Sequence, residues 1–407
     1  MAHKISVDPK QLKNSITVSS KNEPVFLKTA PNRKLIVSLS DNEGRVIRYA
    51  HRWLRYLCGA IGHSITASTV QQYANSIKYF CDWIEASRPY PSLSVDEVLR
   101  IVIRDDISAW HDYQVSKSSI SNATLHSREA ALKEFLTWLT SSEGGHVRLK
   151  ENSPWGKSNE LDYIARKGNK KSPKIITHEH VISILLSMHN ECERCMFHVQ
   201  YDTGLRISEL IALRRSDLPP ESIYADQNFE FLPLYIRGSK GRATGVKERI
   251  TLISRACLNR IRKYHNSLDY KFAPGWKIND PNKPAFLTSN NKVWSSRNAS
   301  KQFKSAVTRS GVGDDFSTHW MRHGTAFSVL KSDIGKDIED KMLTLQKMLG
   351  HSSINTTEIY TQISPALLTQ LGHEGLRQNR LHEAEEIRRM TYLPPGKHTE
   401  KRGHKLD

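Results

Sequence analysis

Four short stretches in the second half of the chain hold side chains that could work together on a phosphate. They are Thr203-Gly-Leu-Arg-Ile-Ser-Glu-Leu210, Gly238-Ser-Lys-Gly241, His319-Trp-Met-Arg-His-Gly324 and Leu349-Gly-His-Ser352, with Tyr360 nine residues beyond His351. A guanidinium grips phosphate through two parallel N–H bonds and does not lose its charge. Arg206 and Arg322 could form such a pair, but they lie 116 residues apart and only the fold could unite them. Either one alone reads as readily as a surface ion pair, which is common and contributes little. A phenol, with a pKa of about 10, attacks at neutral pH only with cations or a base beside it. Tyr360 is the only tyrosine between residues 271 and 391; with Ile354 and Ile359 it could also form an apolar core patch. The sequence shows no carboxylate cluster suited to Mg²⁺, no GxxxxGK[ST] loop and no GxGxxG after a strand. No metal, nucleotide or other cofactor is therefore expected.

In this order and at these spacings the stretches resemble the tyrosine recombinases, also called the phage integrase family. The family's pattern is an Arg in TGLR-x-[ST]-EL, a Lys on a β-hairpin, His-x-x-Arg-His, Leu-Gly-His and then a Tyr nucleophile. Arg206, Lys240, His319, Arg322, His351 and Tyr360 occupy those positions, and Glu209 matches the acidic residue after the first Arg. The resemblance covers about residues 66–375, with the specific motifs all in the second half.

The resemblance implies attack by Tyr360 on a DNA phosphodiester, leaving a 3′-phosphotyrosyl link and a free 5′-hydroxyl. The ester keeps the bond energy, so a second DNA end can be rejoined without ATP or metal. Arg206 and Arg322 would meet the charge on the non-bridging oxygens. His319 would be general base or phosphate ligand, and His351 a donor to the phosphate, although His351 reads also as a helix-end cap. The leaving 5′-oxygen needs a proton. Lys240, flanked by Gly238 and Gly241, suits a mobile general acid, with Lys247 in the same long loop as the competitor. His323 matches a position that is usually structural and is left out of the site.

The elements that must position these groups can be read from periodicity. Helices are expected at His178–Asn190, Cys192–Tyr201, Ile207–Arg214, Arg255–Asn266, Ser300–Ser310, His323–Ser332 and Leu343–Leu349. A β-hairpin fits Phe231–Arg237 and Glu248–Leu252. Earlier in the chain, Val70, Tyr73, Ile77, Phe80, Cys81 and Ile84 line one helical face. Further helices follow with Ile107, Trp110 and Tyr113, then Leu125, Leu132, Phe135, Leu136 and Leu139, pointing inward. Trp53, Leu54 and Leu57 mark a helix over Gly44–Leu57, and strands fit Pro24–Lys28 and Lys34–Leu39. Arg45, Arg48, His51, Arg52 and Arg55 give that first helix a basic face, which reads as a binding surface or as an ordinary solvated face.

With 407 residues the chain holds two or three domains of ordinary size. The expected fold is mainly α with a small β-sheet in the C-terminal domain. The family implies a two-domain, C-shaped clamp: a SAM-like helical core-binding domain and a mixed α/β catalytic domain of the DNA breaking-rejoining type. The expected boundaries are an N-terminal extension at 1–60, the helical domain at 61–155, a basic linker at 156–174, the catalytic domain at 175–375, and a C-terminal helix and flexible tail at 376–407. Pro365–Leu371 and the charged helix Arg377–Arg389 are expected to dock on a neighbouring protomer.

Sixty Lys and Arg against 42 Asp and Glu leave a formal charge of +18, which points to a polyanionic partner. The five scattered cysteines argue against a disulfide framework, and Cys192 and Cys195 make one CxxC without the second ligand pair a zinc site needs. No apolar run is long enough to span a bilayer and no secretory h-region opens the chain. Under the resemblance the partner is double-stranded DNA with short inverted half-sites. The protein would be a monomer or weak oligomer alone and a homo-tetramer on two synapsed sites, with accessory proteins as further partners. The setting would be the bacterial cytoplasm and nucleoid, and the role a site-specific recombinase for a mobile element or for chromosome or plasmid resolution. The alternatives are a type IB topoisomerase-like or telomere-resolving enzyme and a DNA-binding accessory protein of a mobile element.

Overall fold

The computed structural model describes residues 2–7, 17–19, 24–26, 36–59, 65–87, 89–167, 176–220, 229–238, 248–313, 316–332, 337–350 and 379–394. They form two compact units, one up to Lys170 and one from Lys171 on. Among the described residues no helix is long and apolar enough to cross a membrane.

The first unit opens with β1 (His3–Val7), β2 (Thr17–Ser19), β3 (Pro24–Phe26) and β4 (Ile36–Ser40). β1 runs antiparallel to β4 with Ile5 opposite Ser38, and β2 pairs antiparallel with β3. Five helices follow: α1 (Arg48–Gly59), α2 (Ala67–Ser87), α3 (Val95–Ile101), α4 (Arg104–Lys117) and α5 (Asn122–Trp138). The expected stripe on α2 is buried through Val70, Ile77, Phe80, Cys81 and Ile84. Helix α3 had no strong apolar period, yet Ser94 and Glu97 form a capping box that starts it.

Two segments set apart by the sequence reading join this unit's core. Val37, Leu39, Ala50, Trp53, Leu54 and Leu57 cluster with the buried residues of α2 to α5, so residues 36–59 belong to the helical domain itself. The Trp53 ring stacks on Tyr73 at 5.5 Å and meets Phe135 at 5.1 Å. At the other end, the first half of the expected linker is held down. The buried Glu129 carboxylate accepts from Trp155 Nε1 at 2.9 Å and from the backbone N–H groups of Ile164 at 2.9 Å and Ala165 at 2.8 Å. Pairing a buried carboxylate with three donors offsets its desolvation and fixes the strap.

The second unit contains α6 (His178–Leu186), α7 (Glu191–Thr203), α8 (Ile207–Ala212), the antiparallel hairpin β5 (Phe231–Ile236) and β6 (Arg249–Ser254), then α9 (Arg255–His265), α10 (Leu268–Lys271), α11 (Ser296–Ser310), α12 (Thr318–Lys331), α13 (Ile338–Leu349) and α14 (Arg380–Thr391). In β5 Leu232, Leu234 and Ile236 are buried while Tyr235 faces out, the two-residue period of a half-covered strand. Helix α7 is buried along its whole length and forms the axis of the unit. Its two cysteines are core thiols: burial pushes Cys192 up to about 12, and its Sγ donates to the Leu287 carbonyl at 3.0 Å.

Helix α14, part of the segment expected to dock on a neighbouring protomer, packs into the core of its own unit. Ala384 and Ile387 are buried, Glu383 accepts from Tyr201 Oη and Ser328 Oγ at 2.6 Å each, and Arg380 donates to the Asp202 carbonyl at 2.6 Å. Residues beyond 394, the expected tail, lie outside the described residues.

Candidate active site

The end of α7 organises the site. A helix leaves its last carbonyls without intrahelical donors, and another group must serve them if they are buried. Here side chains from three other elements do so. Thr325 of α12 donates to the Tyr201 carbonyl at 2.6 Å, Arg380 of α14 to Asp202, Thr251 of β6 to Thr203 at 3.1 Å, and Arg322 of α12 to Gly204 at 2.6 Å. Gly204 ends the helix in the left-handed region at φ +66°, and a Cβ there would come within 2.6 Å of Leu349 Cδ2. Only glycine meets both demands.

Two residues on, Arg206 sits at the N-cap of α8 with its side chain 27 % exposed. Glu209, on the first turn of α8, reaches back to it twice. Its Oε2 accepts from the Arg206 backbone N–H at 2.8 Å and its Oε1 from Arg206 Nη1 at 2.9 Å. The carboxylate thus orients the guanidinium and caps the helix together.

Helix α12 begins at Thr318, five residues before the expected start, with Ser317 in extended backbone at its N-cap position. His319 and Arg322 therefore lie one turn apart on the same helix, His319 exposed and Arg322 buried. One Arg322 fork donates to the Gly204 carbonyl; the other donates to the Leu349 carbonyl at the end of α13. Gly324 lets α12 press against α7, since a Cβ would stand 2.5 Å from the Tyr201 ring. The His323 ring packs edge-on to His319 at 4.7 Å. Burial, with His319 and Arg322 beside it, pulls His323 down to about 4, so it is neutral at ordinary pH.

Helix α13 ends at Gly350 with φ +64°, and the next residue is His351. Its last two carbonyls are both taken by guanidiniums: Leu349 by Arg322, and Met348 by Arg249 at the start of β6. Arg249 also binds Glu209 Oε2 at 2.9 Å.

The structure therefore unites Arg206 and Arg322 around the turn at Gly204, with His319 on the same helix as Arg322. Lys240, Lys247, His351 and Tyr360 lie outside the described residues, although Gly238 and Gly350, which lead toward them, are placed. Sequence reasoning passed over Arg249. Its neighbourhood, Lys247-Glu248-Arg249, reads as a charged hairpin edge, and nothing in the sequence ties it to Gly350, which its side chain packs against. Glu209 is bonded by two guanidiniums, those of Arg206 and Arg249, against its single negative charge, so the corner carries net positive charge. Such a corner can bind and polarise a phosphate diester.

Residues 174–366 match the phage integrase family. The tyrosine recombinase XerC of Chlamydia muridarum is 25 % identical over 328 residues, covering 76 % of this chain and 92 % of that protein. XerC of Chlamydia trachomatis serovar L2 is 28 % identical over 216 residues, 52 % of this chain; there the match spans only 60 % of the relative's length. Among solved structures, a lambda integrase dimer bound to a COC′ core site superposes with a TM-score of 0.55 at 15 % identity, covering 78 % of this chain and 95 % of that one. The XerH recombinase bound to difH gives 0.54 at 17 %, covering 82 % and 96 %.

Proposed function

From the premise that this chain belongs to the tyrosine recombinase, or phage integrase, family, we propose that it is a site-specific recombinase that breaks and rejoins duplex DNA through a 3′-phosphotyrosyl intermediate. The observation that carries the reading is the Arg322 guanidinium, whose two forks meet the carbonyls of Gly204 and Leu349. Three of the four chemistry-bearing stretches converge on that one group.

In this reading Arg206 and Arg322 hold the scissile phosphate and stabilise the charge that grows on its oxygens during attack. Tyr360 is the nucleophile, His319 the base or a further phosphate ligand, and His351 a donor. Lys240, or Lys247 in the same loop, protonates the leaving 5′-oxygen. The substrate is DNA with short inverted half-sites, bound by four protomers when two sites are synapsed. The setting is the bacterial cytoplasm and nucleoid, in the service of a mobile element or of replicon resolution. The chain's formal charge of +18 favours binding to the DNA backbone.

The test begins with the DNA flanking the gene, searched for inverted half-sites and made into a nicked suicide substrate. The wild-type chain should form a covalent adduct that Tyr360→Phe lacks. An adduct from Tyr360→Phe would overturn the nucleophile. Relaxation of an unrelated supercoiled plasmid, without sequence preference, would replace the recombinase by a topoisomerase.

A further inference from the structure

We propose that Arg249 is a positioning residue for strand cleavage, one that ties Glu209, and through it Arg206, to the end of the helix leading into His351. The inference rests on the recombinase reading above and deepens it.

Arg249 opens β6, directly after the loop that carries Lys240 and Lys247. Its side chain is 9 % exposed. Nη2 donates to Glu209 Oε2 at 2.9 Å and Nη1 to the Met348 carbonyl. The stem runs beneath Gly350, where a Cβ would stand 2.5 Å from Arg249 Cδ. One planar fork thus spans two acceptors on different elements, a geometry that a lysine's point charge does not reproduce.

Glu209 is the hinge of the arrangement. Oε1 takes the Arg206 guanidinium and Oε2 takes both the Arg206 N–H and Arg249. With both oxygens engaged, the carboxylate plane is fixed, and so is the direction of Arg206. The end of α13 is set in a parallel way, with Met348 held by Arg249 and Leu349 by Arg322. Arg249 therefore spans between the Arg206 corner and the end of α13, whereas Arg322 joins the Gly204 turn to the end of α13 from the other helix. Because Nη1 and Nη2 each have protein acceptors, Arg249 acts through Arg206 and the end of α13 and not by gripping DNA.

The charges agree with the geometry. Burial pushes Glu209 toward its neutral form, but Arg249, the Arg206 N–H and the Arg206 guanidinium outweigh it and hold the carboxyl below its ordinary range. The charged groups facing Glu209 are Arg206 at the head of α8, Arg249 on β6 and, across a small cavity, the Asp217–Arg237 ion pair at 2.8 Å. Removing Arg249 takes away the strongest attraction, so Glu209 would take up a proton at higher pH.

The experiment uses the full chain and the suicide substrate, measuring single-turnover cleavage from pH 5 to 9 beside duplex affinity. Arg249→Ala should cut the cleavage rate about 100-fold, the scale of a small misplacement of reacting groups, with affinity within about twofold of wild type. Its acid limb should move to higher pH. Arg249→Lys should recover only part of the rate. Glu209→Gln should resemble Arg249→Ala, and the double variant should be no slower than the slower single one. Wild-type cleavage by Arg249→Ala, or by Arg249→Lys should the alanine variant not fold, overturns the inference. So does a loss of DNA affinity in step with the loss of rate, which would make Arg249 a DNA ligand. A wild-type chain that forms no adduct overturns the recombinase reading itself.

Discussion

Arg322 shows what one side chain must satisfy in this site. It is 2 % exposed and bonded to two carbonyls that face it from α7 and α13. A lysine would keep the charge but offers a compact ammonium in place of a fork, and it cannot hold both carbonyls in one plane. Arg322→Lys should therefore lower suicide-substrate cleavage by about 100-fold or more while the chain stays folded. Arg322→Ala should also weaken the fold, by about 1–3 kcal/mol for each buried carbonyl left without a donor, measured by urea unfolding. Near-normal cleavage by Arg322→Lys would mean that the two carbonyl bonds do not set the site. At this scale the sequence was informative where residue type and chemistry coincide. By residue type the sequence singled out Arg206 and Arg322, which the structure places at the Gly204 turn, whereas Lys240 and Tyr360 lie outside the described residues. It was uninformative about Arg249, because burial of a charged residue at a strand's edge depends on what a distant helix lays over it.

The elements were legible wherever apolar residues recur with a helical or strand period. The hairpin of β5 and β6 and the helices α6 to α9 fall within a few residues of the expected ranges. The helix carrying His319 was expected to begin at His323, because Ser317-Thr318-His319 holds no apolar residue to mark a helical period. Glycines carry a more exact message, and the structure supplies a matched pair. Gly204 and Gly311 both end helices in the left-handed region, at φ +66° and +67°. A Cβ at Gly311 meets nothing within 4 Å, whereas at Gly204 it meets Leu349 Cδ2 at 2.6 Å and Thr325 Cγ2 at 3.3 Å. Gly311→Ala should then cost only the left-handed strain, about 1 kcal/mol, with cleavage intact. Gly204→Ala should cost about 1–3 kcal/mol more through overpacking and should lose cleavage, since Leu349 is held by Arg322 and leads into His351. Equal effects of the two changes, in unfolding and in cleavage, would show that the turn at Gly204 is only a turn.

At the scale of the whole molecule, composition indicated two cores but not where the first begins. Residues before 60 looked separable because their polar runs hide a short apolar contribution. Val37, Leu39, Ala50, Trp53, Leu54 and Leu57 are nevertheless buried with α2 to α5, and the Ala2 backbone N–H reaches Asp82 at 2.6 Å. Truncating one buried tryptophan to alanine commonly costs about 3–5 kcal/mol, against about 5–15 kcal/mol for a whole domain. Removing Trp53 together with its five neighbours should therefore exceed what the first unit can bear. The second unit's core is built from its own residues, beginning at Ile176. A chain starting at residue 61 should then unfold in one transition belonging to the second unit, where the full chain should show two. Its near-UV circular dichroism should lose the Trp83, Trp110 and Trp155 contribution, and protease should trim it back toward the stretch before Ile176. DNA affinity should fall as well, because the helical unit would no longer present a fixed surface. If the shortened chain instead keeps both transitions and resists protease through α5, then the strands and α1 are an appendage after all. The boundary near residue 60 would in that case be the true edge of the domain.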